Sequence, residues 1–187
     1  IDINDLEVLF NTRLWTFYGS YKSFENMDSK SSRFFKYQMS KAILATVESF
    51  LIRNNYYNCS YRNKVKEYIK LSNNNHEFVK WALNEKLNPS EDIISSTKAI
   101  KLLNDTKRIF FQEFFASLSE ITKLKIKSSK DLLVYRSSLK MKIRCLVKYI
   151  LLGEKNIFKK NHVKDLELII SNSNKENDLY SYEPFFS

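Results

Sequence analysis

Glycine and proline are almost absent from this chain, with two of each among its 187 residues. Tight hairpins and phosphate-binding loops depend on glycine, because it alone takes left-handed backbone conformations at little cost. A chain so poor in both residues is therefore largely restricted to helices joined by polar loops. No segment shows the alternation of apolar and polar residues that predicts a strand. The sequence accordingly predicts an all-α fold, an irregular or four-helix-like bundle of about six or seven helices.

Apolar residues recur at intervals of three and four in a succession of segments, as on the buried face of an amphipathic helix. The first segment runs over residues 6–17 and carries Arg13 among its apolar positions. The second has the same spacing over five turns and predicts the strongest early helix. The segments of the first half are 6–17, 33–53, 61–69 and 78–83.

The motif LNPSED at residues 87–92 predicts the start of a long helix. Serine caps helix starts, and acidic residues suit the positive end of the helix dipole. We therefore expect Ser90 to be the cap and Glu91 and Asp92 to lie at the helix start. The apolar face is predicted to comprise Ile93, Ile100, Leu103, Phe110, Phe114, Leu118 and Ile121.

Two more helices are predicted in the second half, over 132–150 and 163–170, and Leu139 and Ile143 should be buried on the first of them. Residues 173–187 are polar and are expected to form a mobile tail. We thus expect a single helical domain over residues 1–172. The chain starts with isoleucine, which suggests a fragment or a processed chain, and the missing part is expected to hold the chemistry.

The net charge of +10 favours an anionic neighbour such as nucleic acid, nucleotide phosphate, an acidic protein face or a lipid surface. The lysines alternate with carboxylates, so an ordinary solvated helix surface also accounts for them. No apolar run approaches the roughly 20 residues of a membrane span, and no membrane partner is expected. Cys59 and Cys145 lack metal-site spacing, which favours reduced thiols and a cytoplasmic location.

The segment RNNYYN at residues 53–58 is similar to the active centre of HEPN-class ribonucleases, where an arginine is followed by a histidine. Here Asn58 takes the place of that histidine. Such cleavage needs a group that exchanges protons near neutral pH, which an amide does not do. His76 is interpreted as an exposed loop residue. No catalytic residue is predicted.

A second pattern, Gly19-Ser20 followed by Asp28-Ser29-Lys30, resembles the metal motif of polymerase-beta-type nucleotidyltransferases. That motif needs two acids, and Lys30 places a cation where a divalent metal needs an oxygen ligand. No metal site is therefore predicted in this chain.

Two segments taken together, YQMSKAILATVESFLIRNNYYNCSYRNKVKEY and EFVKWALNEKLNPSE, resemble the helical domain that follows the catalytic domain in certain bacterial nucleotidyltransferase-like proteins. That domain has a lysine in a long helix, a Tyr-x-x-Ser-Tyr-x-x-Arg-like turn and a Lys-Leu-x-Pro joint. The matching positions are Lys41, residues 57–62 and residues 86–89. The likeness covers roughly residues 5–120.

The resemblance implies a HEPN-like, non-catalytic accessory domain that helps to bind a nucleotide or a phosphorylated substrate. The binding residues it implies are Lys41, Tyr61, Arg62 and Lys86. The expected partner is a catalytic domain in cis or in a partner chain, and magnesium and a nucleoside triphosphate belong to that domain. This chain is expected to hold no cofactor. The alternatives are a basic helical module that binds nucleic acid such as RNA, and a HEPN-type ribonuclease.

Overall fold

A computed structural model of the protein describes residues 27–56 and 58–128, together with positions 6, 9, 10, 12, 13, 131 and 134. The chain divides into two compact units, Ile1–Asp131 and Leu132–Ser187, and the first contains nearly all of the described residues. Four helices are described in full: α1 Ser29–Arg53, α2 Tyr61–Leu71, α3 His76–Leu87 and α4 Ser96–Thr122.

The all-α prediction is confirmed for this part of the chain, which contains no strand. Positions 6, 9, 10, 12 and 13 are also helical, as their apolar spacing predicts. The predicted helices over 132–150 and 163–170 fall outside the described residues, and so does the predicted tail at 173–187. The burial of Leu139 and Ile143 stays a prediction for the same reason.

The central element is α1, which packs against each of α2, α3 and α4. All six residues from Ala42 to Val47 are buried. Six residues exceed one turn and a half at 3.6 residues per turn, so this stretch of α1 is covered on every side. Around it, α2 also packs on α3.

Two groups of apolar side chains surround α1. The first joins α1 to α2 and α3 and consists of Ile43, Leu44, Val47, Leu51, Val65, Tyr68, Val79 and Ala82. The second involves the phenylalanines of α4: Phe110 and Phe114 are each 1% exposed, which confirms their predicted burial. The ring of Phe10 packs edge-on against both, with centroids 5.1 and 5.2 Å away. These rings are core residues and are not available to stack on bases.

Asparagine supplies several of the backbone features that glycine usually provides. Asn55 and Asn75 take left-handed conformations, with φ of 59° and 61°, after α1 and before α3. Asparagine tolerates this region better than most residues with a Cβ atom. Lys123, with φ of 56°, ends α4 in the same conformation. The helix breaks thus form in a chain that has almost no glycine.

The predicted start of α4 is wrong by several residues. The cap is Ser95, whose hydroxyl accepts from the Lys98 amide, and the first turn of α4 contains no acid. Glu91 and Asp92 lie in the preceding loop. Ile93 also lies there and is 62% exposed, so it does not belong to the buried face. Ile100, at 43% exposed, is likewise not buried.

A buried lysine explains why the loop before α4 stays non-helical. The Lys36 ammonium donates to the carbonyls of Ser90 at 2.9 Å and Asp92 at 2.8 Å, and also to the Ser90 hydroxyl. The Ser90 amide and hydroxyl in turn donate to the Glu85 carboxylate, each at 3.1 Å. Because these polar groups are directed at α1 and α3, the chain does not form helix here.

None of the helices in the described part of the chain combines the length and the apolar character of a membrane span.

Candidate functional site

A small cleft opens beside α1 and brings together side chains from separate parts of the sequence. The enclosed space is about 10 Å³, close to the space for one water molecule or one oxygen atom of a ligand. Four of the lining residues follow the spacing i, i+3, i+4 and i+7 on α1, so they occupy one face of that helix. The lining residues are Arg13, Lys41, Leu44, Ala45, Glu48, Tyr61 and Lys86. We call this the basic cleft.

The two lysines of the basic cleft both contact Tyr37, one turn before Lys41 on α1. The Lys86 ammonium donates to the Tyr37 hydroxyl at 2.6 Å. The Lys41 ammonium lies 4.5 Å from the centroid of the same ring, within range of a cation–π contact. Lys86 is also 5.9 Å from the centroid of the Tyr61 ring. Two lysines from different helices are thereby held near each other.

The electrostatic effect of this arrangement appears at Tyr37. The hydrogen bond from Lys86 holds the pKa of Tyr37 below its ordinary value. The positive charges of Lys41 and Lys86 lower that pKa further, whereas partial burial of the phenol opposes them. The cleft therefore favours negative charge on an oxygen placed beside these lysines.

The cations of the cleft are not neutralised by carboxylates of the described residues. Glu48 is the acid in the lining, and its carboxylate accepts from the buried Lys64. No ion pair within 4.0 Å joins Arg13, Lys41 or Lys86 to an acid in this part of the chain. In addition, the Nε atom of Arg13 is buried and has no hydrogen-bond partner among the described residues. A buried donor of this kind is costly unless something accepts from it.

Three of the four residues expected to bind, Lys41, Tyr61 and Lys86, meet in this cleft. The fourth, Arg62, follows Tyr61 on α2, is exposed and is not among the lining residues. Whether these residues bind a ligand stays a prediction. The predicted binding residues do not include Arg13 or Tyr37, although the sequence contains a feature that points to each of them. Arg13 is a charged residue within an apolar stripe, and Tyr37 precedes Lys41 by one helical turn.

The residues of the ribonuclease-like pattern have structural partners. Arg53 donates through Nε and Nη2 to the two oxygens of Glu113, both at 2.9 Å, and so joins the end of α1 to the interior of α4. The Asn58 side chain accepts from the Ser60 amide just before α2. His76 is the first residue of α3 and is half-buried, not an exposed loop residue, and its Nε2 lies 2.5 Å from the Ser72 carbonyl.

The metal-like pattern also has a structural role at Asp28. Its carboxylate caps α1 by accepting from the Ser31 amide at 2.7 Å. This hydrogen bond holds the pKa of Asp28 below its ordinary value. Within the described residues, no group of three or more His, Cys, Asp and Glu is placed to hold a metal ion.

Comparisons with known proteins identify no relative of this chain. No protein-family profile, curated protein or solved structure matches the chain.

Proposed function

We propose that this chain is a helical, non-catalytic domain that binds the phosphate of a nucleotide or a phosphorylated substrate in the basic cleft. The proposal rests on the convergence of Arg13, Lys41 and Lys86 at one concavity, without a carboxylate partner among the described residues. Like charges held close together repel one another, and an anion between them converts that repulsion into attraction.

The chemistry of the lining suits phosphate in particular. An arginine presents planar, fork-shaped donors, and each lysine presents a compact charge with rotatable donors. Charge-assisted hydrogen bonds of this kind are about twice as strong as neutral ones. The Tyr61 ring stands at the edge of the cleft, 38% exposed, and offers an apolar surface to the rest of the ligand.

The resemblance to domains that accompany nucleotidyltransferases suggests a role for phosphate binding in the basic cleft. We propose a catalytic domain, in cis or in a partner chain, that supplies magnesium chemistry on a nucleoside triphosphate. The role of the basic cleft is then to hold one anionic part of a substrate shared with that domain. Support comes from Lys41, Tyr61 and Lys86, which match the resembling domain and lie together in the fold.

A second candidate function, binding of nucleic acid, is favoured by the excess of 31 Lys and Arg over 21 Asp and Glu. Exposed lysines occur on α2, α3 and α4, including Lys66, Lys80 and Lys101. A polymer held by many such residues loses affinity steeply as salt is added, because each neutralised phosphate releases counterions. A ligand held only in the cleft has a much shallower salt dependence.

We expect the full chain to bind ATP and to lose roughly 10- to 100-fold in affinity on Lys86→Gln, the loss for one charge-assisted hydrogen bond. Lys41→Gln should weaken binding in the same direction. Isothermal titration calorimetry at several salt concentrations measures both effects. Tyr37→Phe, which removes only the hydroxyl that holds Lys86, should have a smaller effect than loss of the lysine itself.

The matched control is Lys101→Gln, which removes one positive charge from an exposed position on α4. It should leave ATP affinity within about twofold of the unchanged chain, because exposed charges are screened by salt over about 10 Å. Equal losses for Lys101→Gln and Lys86→Gln, together with a steep salt dependence, would favour the nucleic-acid alternative. No measurable binding of ATP would refute the proposed function.

A further inference from the structure

The shape of the basic cleft and its hydrogen-bond donors indicate which kind of phosphate group it binds. This inference rests on the proposed function. We infer that the cleft selects a terminal phosphate, a group bearing three free oxygens at the end of a molecule, over an internal phosphodiester. Nucleotides and phosphorylated small molecules both carry such a group. An unbroken nucleic-acid strand carries it only at a phosphorylated end.

The first argument is the number and origin of the donors. Arg13 comes from the segment before α1, Lys41 from α1 and Lys86 from α3, so the three positive groups approach from separate elements. A terminal phosphate has three free oxygens and can accept from all three groups. A phosphodiester has two unbridged oxygens, which the three groups would have to share.

The charge of the ligand also favours a terminal phosphate over a phosphodiester. A terminal phosphate carries between −1.5 and −2 charges near pH 7, as phosphomonoesters do, whereas a phosphodiester carries one. Glu48 is already matched by Lys64, so the positive charge of the other three lining residues is not cancelled within the described part of the chain. Three cations attract a dianion more strongly than a monoanion at the same distance.

The enclosed part of the cleft also favours a terminal phosphate. Its volume of about 10 Å³ is close to the space for one water molecule, so one phosphate oxygen can enter it while the rest of the group stays at the mouth. An internal phosphate has substituents on both sides, and both would have to leave the cleft. A terminal phosphate has one substituent, which can pass outward beside Tyr61. Arg13 lines this space, and its buried Nε has no hydrogen-bond partner among the described residues.

The test compares adenosine 5′-monophosphate, adenosine 3′,5′-cyclic monophosphate and adenosine, which share one base and differ in the phosphate. Titration calorimetry on the full chain at pH 7.5 should show the 5′-monophosphate binding at least tenfold more tightly than the cyclic diester. Adenosine should show no measurable binding. Lys41→Gln should reduce the preference for the monoester, whereas Lys101→Gln should retain it because Lys101 lies outside the lining.

The outcomes separate this inference from the proposed function. Equal affinity for the monoester and the cyclic diester overturns the terminal-phosphate inference and leaves phosphate binding intact. Adenosine binding as tightly as the monophosphate overturns it as well, because recognition then resides in the base. If neither the monophosphate nor ATP binds, both conclusions fail. Arg13→Gln should also reduce the monoester preference. If that variant does not fold, Arg13→Lys, which keeps the charge, should retain the preference in reduced form.

Discussion

Replacing Phe114 by alanine is expected to lower the free energy of unfolding by about 3 to 5 kcal/mol, as large-to-small changes in packed cores do. The side chain is 1% exposed, and its ring meets Phe10 edge-on at 5.2 Å and Phe115 at 5.8 Å. Removing the ring deletes buried apolar area and leaves a cavity that the helical backbone cannot close. Chemical denaturation followed by circular dichroism measures the loss.

The matched control is Phe34→Ala, because Phe34 is 47% exposed on α1. Its cost should be close to zero, within about 0.5 kcal/mol, as for most surface substitutions. A loss below about 1 kcal/mol for Phe114→Ala would contradict a packed core around α4. If the alanine variant does not fold, Phe114→Leu should still fold and be less stable than the unchanged chain.

Replacing Lys36 by methionine is expected to cost about 3 to 5 kcal/mol, the range for breaking a buried ion pair by removing one partner. Lys36 and Glu85 are 5% and 2% exposed, with ammonium and carboxylate 4.0 Å apart. Methionine fills a similar volume but leaves the Glu85 charge uncompensated. It also removes the donor to the Ser90 and Asp92 carbonyls.

A double-mutant cycle with Glu85→Met isolates the pair from the loop contacts. The double variant should be more stable than Lys36→Met alone, since it no longer buries a carboxylate that lacks its cation. The same substitution at Lys80, whose ion pair with Glu77 is exposed, serves as the control and should change stability little. Similar losses at Lys36 and Lys80 would show that the buried network does not hold the loop before α4.

Helix positions were largely predictable because apolar spacing in the sequence and burial in the fold have the same physical cause. The predicted segment 33–53 became α1, Ser29–Arg53, and the central phenylalanines of α4 are buried as expected. The start of α4 was not predictable from local signals. Pro89, Ser90 and the following acids have the local composition of a helix start, but Lys36, more than 50 residues earlier, binds their backbone carbonyls.

The candidate site was predictable only in part. The resemblance predicted the binding residues Lys41, Tyr61 and Lys86. Their spacing in the sequence does not indicate that they lie close together in the fold. That meeting depends on how α2 and α3 pack against α1, which sequence periodicity does not specify. Prediction of Arg13 and Tyr37 as residues of the site also requires knowledge of how the helices pack. Periodicity shows which face of one helix is buried, whereas a cleft is formed by the exposed edges of several helices.

The most direct test of the central claim locates a bound phosphate. Lysine labelled with ¹³C at Cε can be incorporated into the full chain, and Lys41→Gln and Lys86→Gln assign the two signals of the cleft. On titration with adenosine 5′-monophosphate, we expect saturable chemical-shift changes at Lys41 and Lys86 and almost none at the exposed Lys101. Changes of equal size spread over the exposed lysines, with Lys41 and Lys86 no more affected than the rest, would contradict it.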